Sequence, residues 1–595
     1  MKHFLKNVLS TVVGIFVAGA LLSLIGLFSL VGMATLSSTP NQIADNSVLM
    51  IELKGSIDER SQEDPWSSIF NNNAMTTQGL DDIMTAIRMA KEENKVKGIY
   101  IKAGSFTGAK PATLKAIRRA LTDFKKSGKF VVAYGDTYTQ GSYYLSSVAD
   151  SVLINPQGMI DWCGLSSKVT YFKDLLDKVG LDIQVVKVGT YKSAVEPYML
   201  TEMSDANREQ IDTYLKEIWS DMLKDVAKSR KMTTEKLNTL ADSSMLLRGT
   251  DTYRKVKLVD RLVYADEVKN TIAAMTGVDT PDDYNIVNVS DMAQSASNTP
   301  KNIGGKAVAV YYAVGNIVNE PSGSFASDDE IAGTKVAKEL EELADNDEIK
   351  AVVLRVNSGG GSAYASEQIW HEVMKIKAKK PVVVSMGDFA ASGGYYISCA
   401  ANYIFAEPTT LTGSIGIFGM FPNASQLLND KLGIHFSTVN TNAYSDFGDL
   451  TRAFTPQERN MAQAYINSGY DLFTRRCADG RKKTQDDIKA IGEGRVWTGI
   501  HAKQIGLVDE LGGLDAAISK AKKLAKIDDD ATVMEYPAKS STIESIMNSF
   551  TEMSMGDSHM REALGEYYNI FTEIKNMGTK TGIQASLPYY MMFNL

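Results

Sequence analysis

The chain has 595 residues, of which 44% are hydrophobic, 23% charged and 9% aromatic. That length suits two to four domains, which excludes a lone small module. The composition is typical of globular proteins and argues against a wholly disordered, collagen-like or polytopic membrane protein. The net charge is −8 and no dense basic stripe occurs, which argues against a nucleic-acid partner. The cysteines are few and widely separated, which supports neither a disulfide framework nor a Cys-rich zinc site: Cys163, Cys399 and Cys477. We expect no metal and no cofactor.

The first segment of the chain predicts a membrane anchor. Lys2 and Lys6 precede a run without charged residues, and the apolar part of this run, Val8 to Leu36, is 29 residues long. A helix needs about 20 residues to cross the hydrocarbon core, whereas a cleavable signal peptide has an apolar region of about 7–15 residues. We therefore predict an uncleaved transmembrane helix over residues 7–36. The positive-inside rule leaves residues 1–6 in the cytoplasm and places the rest across the membrane, which in a bacterium is the periplasmic face of the inner membrane.

The remainder of the chain contains an internal repeat. Val48–Ile57 resembles Val308–Ile317, and Val96–Ile101 resembles Ile349–Leu354. Later matches keep the same order: Gly135-Asp136 with Gly387-Asp388, Tyr143-Tyr144 with Tyr395-Tyr396, and Leu258–Asp260 with Leu507–Asp509. We predict one copy over residues 45–287 and a second over 306–527. The segment 288–305, rich in Ser, Asn, Pro and Gly, is predicted to be a linker, and 528–595, rich in Met and Tyr, a helical extension.

Within each copy, short β-branched runs alternate with amphipathic helical stretches. In the second copy, Ala351–Val356 precedes Ser366–Ala378, and Pro381–Met386 precedes Tyr395–Ala401. Such alternation is typical of βαβ units with a mostly parallel sheet. The predicted fold class is therefore a duplicated α/β fold.

The two copies differ in the residues that carry chemistry. The second copy has Asn357-Ser-Gly-Gly-Gly-Ser362 directly after a strand, where the first has Gly104–Gly108 without the triple glycine. Glycines there let amide groups approach a ligand, as an oxyanion hole requires, although a tight turn would also explain them. The second copy also has Ser392 among small residues at a helix start, where the first has Gln140. Ser392 is thus a candidate nucleophile.

A serine nucleophile needs a base, and lysine is the better candidate. None of the five histidines lies in a Gly- or Ser-rich loop: His3, His371, His435, His501 and His559. The first copy carries Lys192 after a predicted strand, whereas the corresponding stretch Thr441–Leu450 of the second contains no lysine. A surface lysine is the alternative reading. If the copies face each other across a pseudo-twofold axis, however, the reciprocal loss predicts one composite Ser–Lys site per chain.

These motifs resemble those of the signal peptide peptidase A, or protease IV, family in its long tandem form. The resemblance covers nearly the whole chain and is most specific in four segments: Gly189–Pro197, Val356–Ser362, Ala390–Tyr395 and Leu411–Gly419. It implies a tandem Clp-protease/crotonase-like fold, a membrane-anchored periplasmic endopeptidase with a Ser–Lys dyad, and a homotetramer.

The resemblance also implies residue roles. Ser392 matches the family's nucleophile, Lys192 its general base and Ser414 a serine that orients the lysine, while the amides of Gly393, Gly360 and Gly361 would hold the oxyanion. One departure is Gly359, where the family often has proline. That change loosens the loop without removing a donor.

The leading functional hypothesis is a peptidase that degrades cleaved signal peptides and other hydrophobic peptides at the membrane. Two alternatives remain open from the sequence. One is a crotonase-type acyl-CoA enzyme, since that fold also holds an oxyanion with paired amides. The other is a catalytically inactive scaffold that keeps the duplicated fold.

Overall fold

The computed structural model describes residues 43–61, 77–297, 306–321, 330–539 and 582–587, together with Gly14 and Gly19. The predicted anchor over 7–36 therefore lies outside the described residues, apart from those two glycines, as do residues 1–6. Among the helices that are described, none combines the length and the apolarity needed to cross a membrane.

The first copy is built around a parallel sheet in which apolar β-branched runs form the inner strands. Its order is β2-β1-β3-β4-β5-β7, and β8 pairs with β1. Residues such as Val131 and Ile99 are fully buried between helices on both faces, as the strands of a parallel sheet require. The strands are β1 (Ser47–Asp58), β2 (Thr77–Gly79), β3 (Val96–Gly108), β4 (Phe130–Tyr138), β5 (Ser151–Ile160), β6 (Asp182–Val188), β7 (Arg261–Leu262) and β8 (Asn285–Asn288).

The helices of the first copy begin at standard capping signals. Pro111 starts α2 and the side chain of Ser204 caps α6, as expected for residues that suit a helix N-terminus. The helices are α1 (Leu80–Glu92), α2 (Pro111–Phe124), α3 (Gln140–Ser146), α4 (Lys173–Val179), α5 (Glu196–Met199), α6 (Asp205–Arg230), α7 (Thr234–Asp242), α8 (Thr250–Lys255), α9 (Val268–Thr276) and α10 (Val289–Ser297).

The second copy repeats this arrangement. Its main sheet has the order β18-β16-β14-β12-β9-β20, with β15 beside β14 and β19 beside β15. The strands are β9 (Ala307–Val314), β10 (Asn316–Val318), β11 (Glu330–Ala332), β12 (Ile349–Ser358), β13 (Gly360–Ser362), β14 (Val382–Ala391), β15 (Tyr403–Ala406), β16 (Leu411–Gly413), β17 (Ile417–Asn423), β18 (Val496–Thr498), β19 (Glu510–Leu511), β20 (Thr532–Tyr536) and β21 (Gly582–Ser586). The helices are α11 (Gly333–Asp345), α12 (Ala363–Lys379), α13 (Gly393–Ser398), α14 (Pro456–Arg481), α15 (Gln485–Ile491), α16 (Gly499–Gln504) and α17 (Leu514–Ala525).

The duplication inferred from the sequence is confirmed by the equivalent elements. The strands β1, β3 and β4 take the places of β9, β12 and β14, and helices α6 and α14 both have 26 residues. The chain is therefore an α/β protein of two repeated domains.

A third sheet joins the copies at the carboxyl ends of the main strands. Its order is β11-β10-β13-β21-β17-β6. Strand β6 comes from the first copy, and it pairs antiparallel with β17 of the second from Asp182 opposite Asn423 to Val188 opposite Ile417. Because of this pairing, the residues that follow β6 lie against the second copy.

Two sequence predictions are wrong in part. The extension 528–595 is not helical where it is described: residues 532–536 form β20, which pairs with β9, and 582–586 form β21. The predicted linker 288–305 is partly ordered, because Val289–Ser297 form a helix with Met292 buried in the first core. Both predictions relied on residue composition, whereas packing against neighbouring elements determined the local structure. Residues 298–305, 540–581 and 588–595 lie outside the described parts.

Buried polar contacts also hold the copies together. Asp388 in β14 accepts hydrogen bonds from the amides of Ala112 and Thr113 at 2.9 and 3.0 Å, and so caps helix α2 of the other copy. Arg355 donates two hydrogen bonds to Glu59, from Nη2 at 2.7 Å and from Nε at 2.8 Å, and both side chains are buried.

We expect Glu59→Ala to destabilise the protein by about 3–5 kcal/mol, because it leaves the buried Arg355 guanidinium without its carboxylate partner. The double variant Glu59→Leu/Arg355→Met, which removes both charges, should recover most of that loss. Urea unfolding of the three proteins measures the effect. Equal losses in the single and double variants would show that packing, and not the unpaired charge, sets the cost.

Candidate active site

Ser392 stands at the junction between strand β14 and helix α13. Its backbone has a φ of +56°, a conformation that L-residues rarely adopt and that is often found at functional sites. The amide of Ser392 donates to the carbonyl of Gly413 at 2.8 Å, which fixes the turn. A Cβ atom on Gly393 would lie 2.7 Å from Oγ of Ser366, and one on Gly394 would lie 2.5 Å from the carbonyl of Ser358. The Gly-Gly pair is thus required by close packing.

Lys192 reaches the same place from the first copy. The loop that contains Lys192 follows strand β6, and the amide of Tyr191 in this loop donates a hydrogen bond to the Glu493 carbonyl at 2.9 Å. Gly494, with a φ of +77°, packs so closely that a Cβ there would lie 2.7 Å from Cα of Lys192. The lysine side chain is only 1% exposed. Its position is therefore fixed by backbone contacts from both sides.

The two predicted catalytic residues and Ser414 lie together. Nζ of Lys192 is 2.8 Å from Oγ of Ser392, 3.1 Å from Oγ of Ser414 and 3.2 Å from the Ser414 carbonyl oxygen. Ser414 has a φ of +49° on the turn between β16 and β17, and its amide donates to the Arg495 carbonyl. The structure therefore brings Ser392 and Ser414 of the second copy together with Lys192 of the first.

The environment of Lys192 favours a neutral amine. Burial lowers the pKa of Lys192 from 10.5 to about 7, because the low-polarity interior disfavours the charged ammonium. The ring of Phe418, with its centre 5.9 Å from Nζ, forms part of the apolar wall. At a pKa near 7 a substantial fraction of the amine can accept a proton at neutral pH.

The glycine loop predicted to hold an oxyanion lies beside the serine. Gly360 has a φ of +100°, and a Cβ on it would lie 2.6 Å from the Gly393 nitrogen. The Gly360 amide itself donates to Oγ of Ser358 at 3.1 Å. Gly361 has a φ of +154° and pairs with Ile317 of β10. Of the three predicted donors, Gly393 is the one that follows Ser392 directly at the helix N-terminus, where amides lack intrahelical partners.

The first copy has lost the equivalent site. Gln140, at the position of Ser392, fills its turn: Oε1 accepts hydrogen bonds from the amides of Cys163 and Gly164, and Nε2 donates back to the Gly164 carbonyl. A glutamine amide held this way offers no nucleophile. The reciprocal pattern seen in the sequence thus has a structural counterpart.

A strand near the C-terminus, β21, passes through the candidate site. Strand β21 pairs antiparallel with β13, placing Gly361 opposite Ala585, and with β17, placing Gly419 opposite Ile583. The Ala585 carbonyl oxygen lies only 2.0 Å from where a Cβ on Gly360 would stand, and Ala585 is fully buried. A segment of backbone therefore occupies the space between the glycine loop and the strand that follows Ser414.

Several residues of the site escaped sequence reasoning. They are Ser358, Gly494, strand β21, the carbonyl group of Ser414, and Gly416, on which a Cβ would lie 3.2 Å from Cδ of Lys192. The glycines Gly492 and Gly494 after helix α15 were the available signal for a close approach. A carbonyl contact or a distant strand has no sequence signature.

Comparisons with known proteins identify the family of the chain. The profile of Peptidase family S49 matches residues 123–279 and 374–528, and that of Clp protease matches 324–410. Protease 4 of Salmonella typhi is 38% identical over 490 residues, covering 79% of this chain and 77% of that protein. Protease 4 of Haemophilus influenzae is 33% identical over 514 residues, covering 84% of this chain and 82% of that protein. The chloroplastic serine protease SPPA of Arabidopsis thaliana is 28% identical over 519 residues, covering 87% and 75%.

The fold and these relatives define a serine peptidase with a Clp-protease-like α/β fold in two repeated domains. A solved ClpP1 mutant from Listeria monocytogenes is similar over 35% of this chain and 94% of its own, at 17% identity and a TM-score of 0.24. The chain belongs to Peptidase family S49, in the tandem-repeat form of protease IV. This family assignment excludes the crotonase-type acyl-CoA enzyme that the sequence had left open.

Proposed function

We propose that the protein is an endopeptidase in which Ser392 is the nucleophile and Lys192 the general base. The observation that carries the proposal is the 2.8 Å separation of Lys192 Nζ and Ser392 Oγ inside a buried site. A neutral amine has two N–H donors and one lone pair. With the donors directed to the hydroxyl and carbonyl oxygens of Ser414, the lone pair is left for the Ser392 hydroxyl. Ser414 thus acts as a positioning residue.

The reaction follows from these positions. The Lys192 amine takes the Ser392 proton as Oγ attacks the substrate carbonyl carbon, and the amide of Gly393 stabilises the oxyanion together with a donor from the Gly360–Gly361 turn. The resulting ammonium gives the proton to the leaving amine, and an acyl-enzyme remains. Water then attacks the acyl group while Lys192 accepts the water proton, and the resulting ammonium returns that proton to Ser392 Oγ as the second product leaves, which restores the serine and the neutral amine.

The substrates we propose are extended hydrophobic peptides, among them cleaved signal peptides. The support is the way β21 lies in the site, as an added antiparallel strand between β13 and β17. Backbone pairing on both sides would bind any extended peptide, and pockets for alternate side chains would select among them. Leu587, buried next to Gly359, shows that an apolar side chain is accommodated there.

We further propose that the enzyme works at the periplasmic face of a bacterial inner membrane, held by the anchor predicted over residues 7–36, and that it is a homotetramer. The predicted anchor would keep the site close to apolar peptides released in the membrane. Protease accessibility in spheroplasts tests the orientation: the main part of the chain should be digested from outside.

An active-site phosphonate tests the chemistry directly. It should modify Ser392, as mapped by peptide mass spectrometry, because the lone pair of the Lys192 amine is left for the Ser392 hydroxyl. Ser398, at the end of helix α13 and bonded to the Gly394 carbonyl, is the internal control. Modification of another serine would refute the proposed nucleophile.

Because β21 lies in the proposed groove, removing residues 582–595 should raise kcat/KM for a hydrophobic peptide. The synthetic peptide Gly-Ile-Gln-Ala-Ser-Leu, which copies residues 582–587, should then inhibit the shortened enzyme competitively. The full-length variant Ala585→Arg provides a matched control, because an arginine does not fit this buried position and should release the strand. Unchanged activity in both variants, with no inhibition by the peptide, would show that substrates bind elsewhere.

A further inference from the structure

Gln210, on helix α6 of the first copy, is a buried residue next to the loop that contains Lys192. Its side chain is 2% exposed. Its amide nitrogen Nε2 donates to the Tyr191 carbonyl at 3.1 Å and lies 3.0 Å from Oγ of Ser193 and 3.1 Å from Oδ1 of Asn207. Because Tyr191 and Ser193 flank Lys192, one side chain contacts the loop on both sides of the proposed base.

The oxygen of the same amide group contacts the second copy. Oε1 of Gln210 accepts a hydrogen bond from the Val496 amide at 3.2 Å. A primary amide has one acceptor atom and two N–H donors. The Val496 N–H requires the oxygen, whereas the Tyr191 carbonyl requires the nitrogen. The orientation of the amide group is therefore fixed by two main-chain partners, one in each copy.

Val496 belongs to the part of the second copy that holds the two serines of the site. It lies opposite Gly413 in the antiparallel ladder of β16 and β18. The Gly413 carbonyl accepts the hydrogen bond from the Ser392 amide at 2.8 Å, and Ser414 is the next residue in the chain. Gln210 thus connects the loop of the proposed base to the strand pair that positions the serines.

The equivalent position of the second copy differs. Helices α6 and α14 both have 26 residues, and aligning them end to end places Gln210 opposite Met461. The next position is buried in both helices, with Ile211 at 8% and Ala462 at 7% exposure, whereas Met461 is 45% exposed. The buried glutamine therefore occurs in the copy that supplies Lys192, and an exposed methionine in the copy whose corresponding loop has no lysine.

We propose that Gln210 is a positioning residue of the Ser–Lys site, which sets the separation of the Lys192 amine and the Ser392 hydroxyl by tying the lysine loop to β18 of the other copy. Its hydrogen bonds go to groups on either side of Lys192 and not to the reacting atoms. The inference rests on the proposed catalytic function, because it requires Lys192 to be the base.

The variant Gln210→Met, which introduces the residue found at position 461, tests this role. Methionine keeps the length of the side chain but cannot accept from Val496 or donate to Tyr191. We expect kcat for a quenched hydrophobic peptide to fall by about 10- to 100-fold, the cost of a small misplacement of reacting groups. KM should change little, because Gln210 contacts neither β13 nor β17, the strands of the proposed groove.

The pH profile separates a positioning role from a merely structural one. Burial is the cause of the low pKa of Lys192, about 7. The ionisable residues that contact the loop are the same in both proteins: Lys187, Glu209, Glu493 and Arg495. A loop released from β18 admits water to the amine, so the pKa of Lys192 should rise and the rising limb of kcat/KM should move to higher pH.

The matched control is Gln184→Met. Gln184 is also a buried glutamine that bonds across the copies, since its Oε1 accepts from the Phe454 amide at 2.7 Å. It lies on β6 and makes this contact away from the lysine loop. Both variants should lose stability in urea unfolding, but kcat and the pH limb should change only in Gln210→Met.

Ser193→Ala provides a second route, which leaves Gln210 in place and removes one partner of Nε2. It should lower kcat by a smaller factor than Gln210→Met. In the Gln210→Met background the same change should have little further effect, because the contact is already lost.

The outcomes separate this inference from the proposed function. Wild-type kcat and pH limb in a folded Gln210→Met enzyme, beside an inactive Lys192→Met enzyme, would overturn the positioning role alone. A fully active Lys192→Met enzyme would overturn the proposed base and the positioning role with it. If Gln210→Met does not fold, an unchanged kcat in Ser193→Ala would overturn the positioning role.

Discussion

A Ser392→Ala enzyme should lose peptidase activity by a factor of about 10⁴ to 10⁶, the range expected when the nucleophile of a catalytic unit is removed. The folded protein should be unchanged, because alanine keeps the Cβ atom and the positive φ of the turn. The lost hydroxyl makes a side-chain contact with Lys192, while the backbone contact to Gly413 remains. Steady-state hydrolysis of a quenched hydrophobic peptide measures the loss.

The matched control is Ser398→Ala. Ser398 is buried at the end of the same helix, where its hydroxyl donates to the Gly394 carbonyl, so removal of this hydroxyl should leave kcat close to that of the wild type. Residual activity of more than a few per cent in Ser392→Ala, with contamination by wild type excluded, would mean that another group attacks the peptide.

Sequence reasoning predicted the candidate site because duplication supplies an internal reference. Comparing Gln140 with Ser392, and Lys192 with the lysine-free stretch 441–450, singled out the residues that are present in one copy alone. The structure brings Lys192, Ser392 and Ser414 within hydrogen-bond distance. The α/β class followed from the alternation of apolar runs and amphipathic helices, and the strands β1 (Ser47–Asp58) and β9 (Ala307–Val314) confirm it.

The sequence failed where distant segments decide the local structure. Residues 582–586 form a strand because β13 and β17 each offer an edge to pair with, and the sequence of a Met- and Tyr-rich tail does not show which edges will be available. Helix α10 was missed for a similar reason, since its Met292 is buried by the first core. The contacts of Asp388 with helix α2 join residues far apart in the chain, so no local pattern reveals them.

Replacing the proposed base, as in Lys192→Met, should abolish activity to a similar extent, because no neutral amine remains to take the Ser392 proton. In the wild type, kcat/KM should rise with pH up to the pKa of Lys192, about 7, and level off above it, since only the deprotonated amine is competent. A Lys192→Met enzyme that kept near-normal activity, or the same rising limb, would remove lysine from the mechanism.

The same substitution should stabilise the fold, and the gain should depend on pH. Below pH 7 the lysine is protonated in both states, so the folded protein bears the full cost of burying an ammonium group. Between pH 7 and 10.5 the unfolded chain binds a proton that the folded chain lacks, so wild-type stability rises with pH; above that range the cost is gone. Each unit of pKa shift corresponds to roughly 1.4 kcal/mol, from which the contribution of the lost hydrogen bonds must be subtracted. We therefore expect the free energy of unfolding of Lys192→Met to exceed that of the wild type by about 2–4 kcal/mol at pH 6 and by little at pH 10. Urea unfolding of both proteins at the two pH values measures this, and a gain independent of pH would mean that Lys192 keeps an ordinary pKa and is charged when the enzyme is at rest.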